Sequence, residues 1–209
     1  MSTTENPAKT RRNAQSAATR AAIIDAAHRL MLERGYIPTS ISAIAEEAGV
    51  AVQTIYNSVG NKADLLSAVL DRAAAGPDAP ALVPAVMRQR AADARNAVEI
   101  IRVLTDWFVE VHARTAVVFR VIEQAAAVDP DVARLELRRA AQRLHNYAEA
   151  ASALRDRNGL RNGLSDHEAA AAIWALGHPQ VYRSLVIDLG WSVGTYRDWL
   201  GKALQGALS

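Results

Sequence analysis

Apolar residues recur at three- and four-residue spacing along nearly the whole chain, and sustained alternation with β-branched residues is found nowhere. The pattern predicts an all-α protein. Ile23, Ala27, Leu30 and Met31 share one side of a first helix expected from Ala17 to Arg34. Gly35 stops it, and Pro38 bars its continuation. Ser40 is an N-cap for a second helix whose stripe is Ile41, Ile44, Ala45 and Ala48, closed by Gly49. A third short helix is expected from Val52 to Ser58, with Ile55 and Val59 turned inward. Asn61 then caps a fourth helix, with Asp64 in the reciprocal position of a capping box and Leu65, Leu66, Val69 and Leu70 as its apolar side. Two short helices joined across a glycine form a helix-turn-helix, and the long first helix supplies the third wall of the bundle.

Beyond it, AAAGPDAPALVP (73–84) breaks the helical pattern and marks a boundary. Long helices follow from Ala85 to Asn158, with breaks expected near Arg114 and at Asp129-Pro130. The doubled Asn-Gly of RNGLRNGL (157–164) reads as two successive stop signals. Ser165 with Glu168 opens another helix, Gly177 and Pro179 interrupt it, Gly190 ends it, and a last helix runs from Val193 to Leu208. The expected organisation is a basic flexible tail over 1–16, a helix-turn-helix domain over 17–63 and a larger helical domain over 64–209. The helix of 61–75 links the last two.

Composition narrows the function classes. Half of the 209 residues are apolar, enough for a real core. No uncharged apolar run nears the roughly 18 residues that a membrane span needs, and the polar, basic N-terminus lacks the apolar centre of a secretory signal. Cysteine is absent, which removes disulfides, thiolate metal sites and cysteine nucleophiles and suits the cytoplasm. The net charge is only +2, but Lys9, Arg11, Arg12 and Arg20 face Glu5 alone in the first twenty residues. Such a tail either solubilises or follows a DNA minor groove.

The stretch TIYNSVGNKADLL (54–66) concentrates the candidate chemistry. A recognition helix leads into the major groove with side chains short or flat enough to reach base edges and phosphates. Gln53, Thr54, Tyr56, Asn57 and Ser58 meet that need. Tyr56 can donate to a phosphate, Lys62 can reach the same backbone, and the fourth helix turns its first amides toward it. Taken alone, Tyr56 could instead close the bundle core, and Lys62 could be a solvated surface charge.

The segment from Arg20 to Asp71 resembles the DNA-binding domain of TetR/AcrR-family transcriptional regulators. The matching marks are Gly35-Tyr36, Thr39-Ser40, Ile44-Ala45, Ala48-Gly49-Val50, Thr54-Ile55-Tyr56 and Asn61-Lys62 before the Leu-Leu pair. The resemblance implies a homodimer that binds double-stranded DNA, each subunit carrying a larger C-terminal domain for dimerisation and a small-molecule effector. It assigns Tyr56 and Lys62 to phosphates, and Thr54 and Ser40 to the backbone. Ser42, Val52, Gln53, Asn57 and Ser58 fall where family members read bases. Val59 departs from the aromatic residue common before the Asn-Lys hinge, and Asn57-Ser58 are smaller than usual.

In the larger domain, an apolar ligand cavity with a few orienting polar groups is expected among Trp107, Phe108, Val111, His112, Phe119, Glu123, His145, Trp174, His178 and Tyr182. An ordinary core accounts for each of them singly. Trp191 and Trp199 are expected within the subunit, whereas Trp174 and Tyr182 are placed near the dimer face or the pocket. An enzyme is the rival class, but no nucleophile elbow, phosphate-cradling glycine loop, histidine pair or Glu-x-x-His pair occurs, and no cofactor or metal is implied. A scaffolding dimer without DNA affinity is a third reading, opposed by the intact 54–62 segment. The reading is a ligand-released repressor on a pseudo-palindromic operator.

Overall fold

A computed structural model describes residues 7–76 and 83–209; the first six residues of the expected tail and residues 77–82 of the expected boundary lie outside them. All regular structure in the described residues is helical: α1 (Pro7–Arg34), α2 (Ile41–Glu47), α3 (Val52–Ser58), α4 (Lys62–Ala75), α5 (Val83–Asp93), α6 (Ala97–Ala126), α7 (Pro130–Arg155), α8 (Asp166–Leu176), α9 (Pro179–Tyr182) and α10 (Val193–Leu208). The chain forms two compact units. One comprises residues 1–72 with 120–135, the other residues 73–119 with 136–209. The expected division at 63/64 falls inside the first of these units, within α4. α6 and α7 each supply residues to both units, so the corner between them, with Asp129 and Pro130, belongs with the helix-turn-helix.

In the first unit, Ile23, Ala27, Leu30 and Met31 of α1 are buried with Ile44 and Ala45 of α2, Ile55 of α3, and Leu65, Leu66 and Val69 of α4. Each large aliphatic side chain taken fully from water contributes about 1.5–3 kcal/mol, which is how such short helices are held. The α6–α7 corner adds Val121, Ile122, Ala125 and Val132, all buried. α1 begins at Pro7, ten residues before the expected start, so Ala8 to Ser16 are helix rather than flexible tail. Alanine, arginine and glutamine are good helix formers there, no breaker lies between Ala8 and Arg34, and proline suits the first helical position.

Local chemistry explains the ends. Thr39 is buried, its hydroxyl facing the carbonyls of Gly35 at 2.7 Å and Leu30 at 3.1 Å, which pins the turn after α1. The Ser40 hydroxyl accepts from Ala43 N at 3.0 Å, capping α2. Asn61 Oδ1 accepts from Asp64 N at 2.9 Å while Asp64 Oδ2 accepts from Asn61 N at 3.0 Å, the expected reciprocal cap.

In the second unit a core of Ile100, Leu104, Phe108, Ala151, Leu154, Ile173, Tyr182, Tyr196, Leu200 and Leu204 joins α6 to α10. The break expected near Arg114 is absent, since α6 runs unbroken. Arg114 is instead held in place by Glu110 one turn back at 3.0 Å, and it donates to the carbonyls of Ala73 at 3.2 Å and Ala74 at 2.9 Å at the end of α4. A break the sequence reading did not expect precedes α6, where Asn96 Oδ1 accepts from Glu99 N at 3.0 Å. The stop signals behave as read: Asn158 and Gly163 take positive φ, and Ser165 with Glu168 forms a capping box. After α9 the helix continues as a π-helix, Arg183–Asp188, where a plain α-helix was expected. Such widened turns accommodate an extra residue and recur at functional sites.

Candidate nucleic-acid interface

α3 has two unlike faces. Ile55 is fully buried, which anchors the helix to the bundle, whereas Val52, Gln53, Tyr56 and Asn57 are exposed. These four positions, one turn apart in pairs, form one continuous outward strip. Tyr56 is 49% exposed, so it does not close the core, and its phenol is free to meet a partner in solvent. Gln53 Nε2 donates to Asn57 Oδ1 at 3.1 Å, holding two amides side by side on that strip. Thr54 and Ser58 are half-buried on its flanks, and Ser40 and Ser42 are exposed at the start of α2. The structure thus brings Ser40, Ser42, Val52, Gln53, Thr54, Tyr56, Asn57, Ser58 and Lys62 into one unit with none of them lost to the core.

The hinge after α3 is tightly specified. Val59 and Gly60 both donate to Ile55 O, at 2.8 and 3.3 Å, which ends the helix. Gly60 sits at φ 118°, and a Cβ there would overlap the Asp64 carboxylate, so both conformation and space demand glycine. Val59 is half-buried and fills the place where an aromatic residue is commoner.

Lys62 does not extend freely into solvent. Its Nζ lies 4.2 Å from the centre of the Tyr36 ring and donates to Ile37 O at 3.2 Å. Tyr36 is buried, and its hydroxyl donates to Asp129 Oδ2 at 2.7 Å, a bond between the α1–α2 turn and the α6–α7 corner. Burial, then Asp129, raises the Tyr36 pKa, so the phenol stays protonated and keeps donating. The hydrogen bond from Tyr36 holds the Asp129 carboxyl below its ordinary range. Burial lowers the Lys62 pKa, and Asp129 opposes that shift.

Sequence reasoning placed Lys62 correctly in the chain but missed this seat. The partner of Tyr36, Asp129, lies 93 positions away, beyond the reach of any periodicity. Arg20 was likewise read only as tail charge. Its guanidinium donates to Ser58 O at 2.5 Å, satisfying an open carbonyl at the end of α3. The exposed Arg11 and Arg12 extend the basic character along α1.

Of the candidates for a ligand site, the second unit brings several together. Phe108 stacks on His112 at 5.7 Å and meets Tyr147 edge-on at 5.6 Å. His112 faces Tyr182 at 5.9 Å, and Trp174 faces His178 at 5.0 Å. Phe119 lies under the Arg143 guanidinium at 5.7 Å. Val111 is buried and Trp107 half-buried. Glu123 and His145 are not part of this cluster: both are exposed, and Glu123 falls in the first unit. On α7 it is Arg143 and Tyr147, four apart, that share a face with the cluster, and His145 points elsewhere. Trp191 and Trp199 pack on each other at 6.3 Å, within the subunit as expected. Among the described residues no group of three or more His, Asp or Glu side chains is placed to hold a metal, and no helix is long and apolar enough to cross a membrane.

With this geometry in view, the likenesses to known proteins fall into place. The family profile described as "Bacterial regulatory proteins, tetR family" matches residues 23–69, the span from α1 into α4. The HTH-type transcriptional regulator TtgR of Pseudomonas putida is 46% identical over 63 residues, and the match takes in 30% of this chain and only 29% of that protein. A second Pseudomonas putida protein, described as "Probable HTH-type transcriptional regulator ArpR", matches to the same extent. Beyond that segment the likeness is one of fold. The SmeT–triclosan complex superposes with a TM-score of 0.70 at 20% identity over 92% of each chain. NalD, the secondary repressor of the MexAB-OprM efflux pump in Pseudomonas aeruginosa, superposes with a TM-score of 0.68 at 23% identity over 93% of this chain and 97% of that one. Residues 23–69 thus match the tetR family of bacterial regulatory proteins, and the chain as a whole shares the all-helical fold of solved structures such as these.

Proposed function

We propose that the protein is a dimeric, cytoplasmic repressor that binds double-stranded DNA through α3 and releases it when a small molecule occupies the second unit. The observation that carries this reading is the outward strip of α3, polar apart from Val52 and with Tyr56 half in solvent, beside a lysine at the start of the next helix. In a groove, Ser42, Val52, Gln53, Asn57 and Ser58 would meet base edges. Thr54, Ser40, Tyr56 and Lys62 would bond the phosphates that set register. Two copies of α3 must match successive major grooves, so a dimer of fixed spacing is required.

Release follows if an effector prefers a conformation in which that spacing is wrong, because a ligand shifts populations by its difference in affinity. The passage of α6 and α7 through both units offers the covalent route, with the Tyr36–Asp129 bond as its end near Lys62. A gel-shift titration on DNA from upstream of the chain's own coding region tests the first half. Tyr56→Ala and Lys62→Ala should each weaken binding about equally on specific and non-specific DNA, by roughly 1.5–3 kcal/mol for a bond to a charged group. Wild-type protein that leaves all such DNA unretarded would refute the reading.

A further inference from the structure

α3 carries no Arg, Lys, Asp or Glu. From Val52 to Ser58 its polar side chains are two carboxamides, two aliphatic hydroxyls and one phenol. Guanine is most often read by the donors of an Arg or Lys on its O6 and N7, and cytosine by a carboxylate on its amino group. α3 has neither reader. A carboxamide is the side chain whose paired donor and acceptor match adenine, which shows an N6 amino donor beside its N7 acceptor.

One of the two carboxamides is held by the other. Gln53 and Asn57 lie one turn apart, both exposed, and Gln53 Nε2 donates to Asn57 Oδ1 at 3.1 Å. That bond uses one lone pair of Oδ1 and leaves the second open, while Asn57 Nδ2 has no hydrogen-bond partner among the described residues. The terminal torsion of an unheld asparagine is broad, so the bond from Gln53 limits how the amide plane turns. What remains on Asn57 is one acceptor and one donor side by side on a single flat group. Guanine offers two acceptors, thymine an acceptor and a methyl group, and cytosine a donor alone. Each of these would leave either the Oδ1 lone pair or the amide N–H unanswered; adenine answers both.

The bond between the amides has a simpler use, because such a pair four residues apart steadies a helix, and α3 is only seven residues long. That use takes no account of DNA sequence, which is how the two uses are told apart.

We infer that Asn57 reads an adenine in the major groove of each half-site, Oδ1 accepting from the N6 amino group and Nδ2 donating to N7, with Gln53 as its positioning residue. This rests on the reading of α3 as the helix that enters DNA and goes beyond it by naming the base.

The test selects duplexes with a randomised core on the full-length protein and then titrates the selected duplex by gel shift. Each selected half-site should contain an adenine whose exchange for guanine weakens the wild type by about 5- to 150-fold. At that position 7-deaza-adenine, which lacks the N7 acceptor, and unsubstituted purine, which lacks the amino group, should each weaken binding several-fold. Asn57→Ala should bind the adenine and guanine duplexes about equally. Gln53→Met, similar in length but unable to donate, should lose part of the preference at that same base pair, with circular dichroism confirming that both variants are folded. Variants that lose affinity for every duplex alike and keep the adenine preference overturn the inference, as does an Asn57→Ala variant that erases a preference for another base. Wild type that retards duplexes but selects no such adenine loses only the base assignment. Wild type that retards no duplex refutes the repressor reading, and the inference falls with it.

Discussion

Tyr56 and Tyr36 show how differently one residue type is used within twenty positions. Tyr56 stands half in solvent with its hydroxyl uncommitted, while Tyr36 is buried with its hydroxyl given to Asp129. The first suits a partner outside the chain; the second joins two parts of it. Aromatic size and a polar handle serve both purposes, and burial decides between them. His112 makes a prediction at this scale. Its folded pKa lies below the ordinary value of 6.5, so between the two values the unfolded chain takes up a proton that the folded chain refuses. Stability is then fully present above pH 6.5 and falls as the pH drops below it. His178 is shifted the same way, first by burial, and adds to the trend. Urea midpoints should fall between pH 7 and pH 5, and His112→Phe should flatten that fall; an identical slope in both proteins would contradict the assignment.

Among the elements, the α3–α4 hinge carries the tightest constraint. Gly60 at φ 118° lets α3 stop and α4 begin within a few residues, and the Asn61–Asp64 cap depends on the carboxylate that a Cβ at Gly60 would displace. Gly60→Ala should therefore cost at least the 1–3 kcal/mol of a strained residue, with part of an N-cap's typical ~1 kcal/mol added. Chemical denaturation should show the loss, and DNA affinity should fall further than with a substitution of similar cost in the second unit, because the hinge orients both Tyr56 and Lys62. Equal DNA binding at equal stability would mean that the hinge only holds the fold.

For the molecule as a whole, the proposed DNA binding makes charge against a polyanion the relevant quantity. A net charge of +2 gives little long-range attraction, so affinity must come from a few placed contacts and their counterion release. Lys62, with Arg20, Arg11 and Arg12 along α1, belongs to the cations of the first unit. The logarithm of the association constant should fall linearly with the logarithm of salt concentration, and Lys62→Ala should make the slope shallower by about one. A slope unchanged in that variant would remove Lys62 from the phosphate contacts.

Periodicity alone was enough for the all-α class, because helical spacing of apolar residues is local and nearly uninterrupted here. Stop and start chemistry was equally legible at Gly49, Asn61, Ser165 and the doubled Asn-Gly, since caps are written within four residues. The outward strip of α3 was legible too, as the complement of Ile55. What no local pattern could supply were pairings between distant positions: Tyr36 with Asp129, Arg20 with Ser58 O, Arg114 with the end of α4, Arg143 with Phe119. The unbroken course of α6 through Arg114, and the grouping of residues 120–135 with the N-terminal unit, belong to the same class. Local sequence sets which helices form and where they end; only packing in three dimensions determines which buried polar groups find partners and which, like His112 Nδ1 among the described residues, have no hydrogen-bond partner.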